Sequence, residues 1–124
     1  MEKNKFSFED LKVYQKSLEF INLTYDITSR FPKEENYRLN SQFIRAAHSI
    51  ALNIAEGAGD SNLQFIRFLK ISLGSVKECI VCITIAKNQT FITEKEYQKM
   101  RKELTEISKM INSLIKYLRT STND

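Results

Sequence analysis

Apolar residues recur at intervals of three and four along nearly the whole chain, with polar residues between them. That period belongs to amphipathic helices, since strands alternate every second residue. Four such runs are separated by short polar breaks. Leu11, Tyr14, Leu18, Ile21, Tyr25 and Thr28 form a 3-4-3-4-3 seam and predict a first helix over 8–30. Ser7, with Asp10 three residues on, is its expected cap. Phe31-Pro32 closes it, because proline disfavours helical geometry in the residue before it. Phe43, Ala47, Ile50 and Ile54 predict a second helix over 37–56. Gly57-Ala-Gly59-Asp60 ends it, glycine being suited to the left-handed position after a helix. The third helix, 62–88, opens on the capping pair Ser61 and Gln64 and aligns Phe65, Leu69, Ser72, Val76, Cys79, Ile83 and Ala86. The fourth, 94–119, opens on Thr93 and Glu96 and aligns Tyr97, Met100, Leu104, Ile107, Ile111, Leu114 and Leu118. The expected fold is all-α: one domain over 1–124, an antiparallel up-down-up-down four-helix bundle with frayed tails at 1–6 and 120–124.

Two helices carry a second apolar stripe at spacing seven: Val13, Phe20 and Ile27 on the first, and Ile66, Leu73 and Ile80 on the third. One stripe serves the core, so the other points to a further contact, either another helix or another subunit. Gly74 lies mid-helix, where glycine costs about 1 kcal/mol relative to alanine. The expected compensation is close approach to the small residues Ala46, Ala47, Ala51 and Ala55 of the second helix.

Composition agrees with helices. One Pro and three Gly in 124 residues leave few turns for a sheet. The N-terminus is charged with no apolar stretch behind it, and no run of 18 apolar residues exists, so neither a secretory leader nor a membrane span is expected. Two cysteines in that context point to a reducing, cytoplasmic setting. The net charge is +4, and the excess lies in the second half: residues 61–90 hold four basic groups against one acidic. That balance is a modest pointer to an anionic partner.

Candidate chemistry is sparse. Ser49, Asn53 and Glu56 share one helix face, as do Ser75 and Glu78 on the next helix; with Arg45 they are expected to form a buried polar network that fixes helix register. The competing reading, a binding pocket, is the weaker one. No nucleophile–base pair or phosphate loop is present, and a di-iron bundle would need Glu-x-x-His motifs that the single histidine, His48, cannot supply. His48 is read as a half-buried or interface side chain. Cys79-Ile-Val-Cys82 lies mid-helix, away from the N-terminal dipole that activates redox pairs, and is read as two buried apolar thiols. No catalytic residue, metal or cofactor is expected, and the protein is not expected to be an enzyme. Arg67, Lys70 and Lys77 on the third helix, with Lys95, Lys99, Lys102 and Lys109 on the fourth, are candidate phosphate contacts. The alternative is a solvated face, since glutamates interleave the lysines of the fourth helix.

Particular residues also resemble a known family, the four-helix-bundle proteins encoded in intervening sequences of bacterial 23S rRNA genes. The resemblance rests on Phe8-Glu-Asp-Leu11, Tyr14-Gln15, Phe31-Pro32, Gln42, Arg45-Ala-Ala47, Ser49-Ile-x-x-Asn53-Ile-Ala-Glu56-Gly57, Phe68-Leu69 and Gly74-Ser75-x-x-Glu78. Ala51 departs from it, since relatives often carry proline there. The resemblance implies a homo-oligomeric ring, a pentamer. It also implies kinship to the accessory variability proteins of diversity-generating retroelements, basic bundles that bind nucleic acid and a reverse transcriptase. The expected partners are thus other copies of the chain, RNA or DNA, and a protein such as a polymerase. No membrane partner is expected.

Overall fold

Capping chemistry sets where the later helices begin. The Glu96 N–H donates to Thr93 Oγ1 at 3.1 Å while the Thr93 N–H donates to Glu96 Oε1 at 2.9 Å, so both exposed amides are satisfied reciprocally. Ser61 Oγ accepts the Gln64 N–H at 3.2 Å in the same way. The structure, a computed structural model, describes residues 4–121. Within them α1 spans Lys12–Thr28, α2 Leu39–Gly57, α3 Asn62–Asn88 and α4 Glu94–Ser121, with 3-10 turns at Ser7–Asp10 and Lys33–Glu35 and no strand. The α3 boundaries are the predicted ones. The α1 start is not. Ser7 lies inside the first 3-10 turn, which the Phe6 N–H closes by donating to Glu9 Oε1 at 2.8 Å. Extended Leu11 then separates turn from helix. Part of the expected N-terminal tail is also engaged, since Lys5 pairs with Asp10 at 2.6 Å and Phe6 stacks on Phe8. The expected tails at 1–3 and 122–124 lie outside the described residues.

The four helices pack as a bundle. Ser75 meets Ser49, Ser72 meets Ile50, and Phe65 and Phe68 meet Gly57, so numbers fall along α3 as they rise along α2. Lys16 reaches Glu106 and Arg30 reaches Glu96, giving the same order for α1 and α4. Their shared core holds Phe20, Phe43, Ile50, Ile54, Leu69, Ile83, Leu104, Ile107 and Ile111, all fully buried.

On α1 the two apolar stripes exchange roles. The buried face is Val13, Ser17, Phe20, Thr24 and Ile27, whereas Leu18 and Tyr25 of the predicted seam are exposed. Hydroxyls can occupy the core there because each returns to its own backbone: Ser17 Oγ donates to the Val13 carbonyl at 2.7 Å and Thr24 Oγ1 to the Phe20 carbonyl at 2.9 Å. Tyr14, Leu18 and Ile21 of the predicted seam instead line an apolar groove between α1 and α2, and Thr28 is buried. On α3, Ile66 is buried and Leu73 and Ile80 are half-buried against the core; the exposed apolar residues are Leu63, Ile71, Val81 and Ile85.

The glycines also exchange roles. Gly74 is exposed, and a Cβ placed there would meet nothing within 4 Å, so no alanine of α2 approaches it. The close approach is at Gly57, the buried last residue of α2, where a Cβ would lie 2.8 Å from Phe68 Cβ and 3.2 Å from Phe65 Cα. The left-handed residue after the helix is Gly59, with φ +88°. Gly57→Ala is therefore expected to lower the unfolding free energy by about 1–3 kcal/mol, as overpacking does. Gly74→Ala should raise it by about 0.5–1 kcal/mol through helix propensity. Urea denaturation of both variants checks this, and shifts of the same sign would contradict it. Ala51 is buried in an unbroken α2. Among the described residues no helix is long and apolar enough to cross a membrane.

Candidate nucleic-acid interface

Lys95, Lys102, Lys109 and Lys116 recur every seven residues on α4, a rise of about 10 Å per step along one exposed face. Whether that face is truly cationic depends on the four glutamates of α4, and the structure places every one of them against a cation from outside α4. Glu94 meets Lys87 of α3 at 3.2 Å, and Glu96 meets Arg30 at 2.6 Å. Glu103 and Glu106 share Lys16 of α1, at 3.1 and 2.8 Å. Exposed pairs of this kind contribute little stability. Their consequence is electrostatic, since they draw the α4 carboxylates toward cations of other elements, while Lys16 serves two of them and Glu106 still feels Lys102 and Lys109. The Lys16 hydrogen bond and charge hold the Glu106 carboxyl below its usual range, with Lys102 and Lys109 adding less. Glu96 is likewise held low, by the Thr93 backbone N–H first and Arg30 next. Hydrogen bonds to Glu106 and then Glu103 raise the Lys16 ammonium. All these groups are therefore ionised and paired at neutral pH.

Two depressions open along this side of α4. One, about 390 Å³, lies between α3 and α4 and brings Lys77 together with Arg101, Thr105, Ser108 and Lys109 over an apolar floor. The other, about 380 Å³, runs along α4 past Arg101, Lys102 and Lys109, with Glu106 among its lining residues. Arg101 Nη1 donates to Tyr97 Oη at 2.9 Å, which holds the guanidinium at the groove edge. Thr105 Oγ1 is committed to the Arg101 carbonyl at 2.8 Å. Of the seven candidate contacts, Lys77 and Lys109 thus line the α3–α4 groove and Lys102 joins Lys109 in the depression beside it. Arg67, Lys70, Lys95 and Lys99 are exposed on the same two helices but line neither. Arg101, Thr105 and Ser108 went unnoticed in the sequence. Their i, i+4, i+7 spacing, a polar flank beside the α4 seam, was the available signal.

The polar network between α2 and α3 is smaller than expected. Asn53 Nδ2 donates to the Ser49 carbonyl at 2.8 Å and to Ser49 Oγ at 3.0 Å, and Ser75 Oγ donates to Ser49 Oγ at 2.8 Å. Ser72 Oγ adds a bond to the Ile50 carbonyl that the pattern did not assign. Arg45, Glu56 and Glu78 are not buried. They face solvent, and Arg45 reaches only Ser41 Oγ at 3.4 Å. Burying those carboxylates would require a cation beside them, and Arg45 sits about three turns from Glu56 along α2. Ser49, Asn53 and Ser75 satisfy one another, so the cluster fixes register between two helices. His48 is half-buried, its Nε2 2.9 Å from Tyr25 Oη. Cys79 and Cys82 are buried free thiols; burial pushes Cys82 up to about 11 and Cys79 higher. Among the described residues no three His, Cys, Asp or Glu side chains group as a metal site.

The fold defines a class: an all-α four-helix bundle, here with Lys77, Arg101 and Lys109 along the groove between α3 and α4. The family model for the 23S rRNA-intervening sequence protein matches residues 9–113, and the chain belongs to that family. Among solved structures it is similar to a protein of unknown function from the S23 ribosomal protein family of Bacteroides thetaiotaomicron VPI-5482. The identity is 29% and the TM-score 0.77, with 84% of this chain and 95% of that chain covered. Comparison with curated proteins finds no match.

Proposed function

We propose that this protein is a non-enzymatic, self-associating accessory protein that binds nucleic acid, RNA foremost, through the α3–α4 groove. The observation that carries the reading is the pairing of all four α4 glutamates with cations of α1, α3 and the α1–α2 connection. A face in which acids and bases neutralise each other has little to offer a phosphate chain. A face whose acids are drawn toward other cations presents Lys77, Arg101 and Lys109 in the α3–α4 groove and Lys102 in the depression beside it, and each phosphate neutralised there releases condensed counterions. Self-association, as a ring of five in the family resemblance, is supported by the exposed Leu63, Ile71, Val81 and Ile85 of α3. A ring would set several such grooves side by side and multiply a weak single contact.

The test is a fluorescence titration of labelled structured RNA at several salt concentrations. Binding tighter than about 10⁻⁴ M, weakening linearly on a logarithmic salt axis, is expected. Absence of binding, or binding indifferent to salt, would overturn the reading. A second reading, a scaffold that recruits a protein such as a reverse transcriptase without touching nucleic acid, is favoured by the apolar groove between α1 and α2. Leu18, Ile21, His48 and Leu52 line it, and its volume is about 430 Å³. Capture of a partner encoded beside this gene, unchanged by charge reversal at Lys70 and Lys77, would favour the scaffold.

A further inference from the structure

One end of the lysine ladder differs from the rest. A further depression, of about 370 Å³, lies between the start of α1 and the second half of α4, lined by Leu11, Lys12 and Val13 on one side and by Lys109, Met110, Ser113 and Leu114 on the other. Its floor is apolar. Lys12 and Lys109 stand exposed at its rim, and Lys109 also lines both cationic depressions, so the apolar site and the phosphate path share a residue. Tyr117 follows Met110, Ser113 and Leu114 by seven, four and three residues, which places it on the same flank of α4. It is 65% exposed and stands about one turn beyond the residues that line the depression. Its ring stacks on no other aromatic among the described residues.

We infer that the nucleic acid this protein takes is single-stranded: its phosphates run along Lys102, Lys109 and Lys116, and a base turned out of the strand lies over Met110 and Leu114 against Tyr117. The inference rests on the phosphate-binding reading above and adds what the phosphates alone do not decide. A duplex hides the faces of its bases in the stack and meets a protein surface with phosphates, sugars and groove edges. It could use the lysines but would leave the apolar depression and the ring without a partner. An unpaired strand offers both parts: charge at regular steps, and planar apolar faces between the charges. That combination of cationic track and exposed aromatic is how single strands are held without sequence preference. The size fits, since about 370 Å³ is at the small end of the range that holds small planar ligands.

Anisotropy titrations with an unstructured oligonucleotide and a blunt duplex of equal phosphate count test this on the full chain. The single strand is expected to bind about tenfold or more tightly, the range that base–aromatic stacking supplies. Tyr117→Ala should erase that advantage, leaving duplex affinity and the salt slope unchanged; Tyr117→Phe should keep it. Because Tyr117 is exposed, neither variant should disturb folding, and helical circular dichroism confirms that. A wild type that binds duplex as well as single strand would overturn the inference while leaving phosphate binding intact. So would a Tyr117→Ala variant that weakens both ligands equally. A wild type that binds neither ligand would overturn both.

Discussion

Reversing charge at Lys77, Lys102 and Lys109 together is expected to weaken RNA binding by about two to three orders of magnitude at about 50 mM salt. Lys77 and Lys109 line the α3–α4 groove from two helices, and Lys102 lines the adjoining depression along α4. Each phosphate contact contributes about 0.7–0.9 to the slope of affinity against salt, so the slope itself should fall by about two to three. The difference between wild type and variant should shrink as salt rises. All three residues are exposed, so the helical spectrum and thermal midpoint should stay close to those of the wild type. The control is Lys33→Glu, on the connection before α2, which changes net charge without touching the groove. If that control weakens binding as much per charge as the groove variant does, the effect belongs to overall charge and the groove has no special role.

Phe43→Ala should be the most damaging single change to stability, lowering the unfolding free energy by about 3–5 kcal/mol. Phe43 is fully buried on α2 and packs against Phe20 of α1 with ring centroids 6.2 Å apart. Truncation removes the ring and strands its neighbour beside a cavity that a bundle of long helices cannot close. In a domain whose total stability is of order 5–15 kcal/mol that is a large share. Urea denaturation should show a lower midpoint with an unchanged slope. A loss below about 1 kcal/mol would mean that α1 and α2 are not held together by this contact.

Local chemistry was legible in the sequence and relations between helices were not. Thr93 with Glu96 and Ser61 with Gln64 announced two helix starts because a cap is written in four consecutive residues. The apolar seam of α4 was equally plain. The face of α1 was misjudged because Ser17 and Thr24 count as polar in any pattern, yet their hydroxyls bond to carbonyls one turn back and enter the core satisfied. Gly57 and Gly74 could not be told apart by position. Only the placement of Phe65 and Phe68 shows which one needs to lack a side chain. The polar cluster was half legible: Ser49, Asn53 and Ser75 do meet across α2 and α3, while the charged members of the expected set stay in water. The groove was least visible. The glutamates among the α4 lysines read as a self-neutralised face until Lys16, Arg30 and Lys87 arrive from elsewhere in the chain and take them.

The most direct measurement is ultraviolet crosslinking of bound RNA to the intact protein, followed by mass-spectrometric identification of the attached peptides. Attachment within residues 70–80 of α3 and 98–117 of α4 is the predicted result. Attachment confined to α1 and α2, around the apolar groove at Leu18 and Leu52, would contradict it.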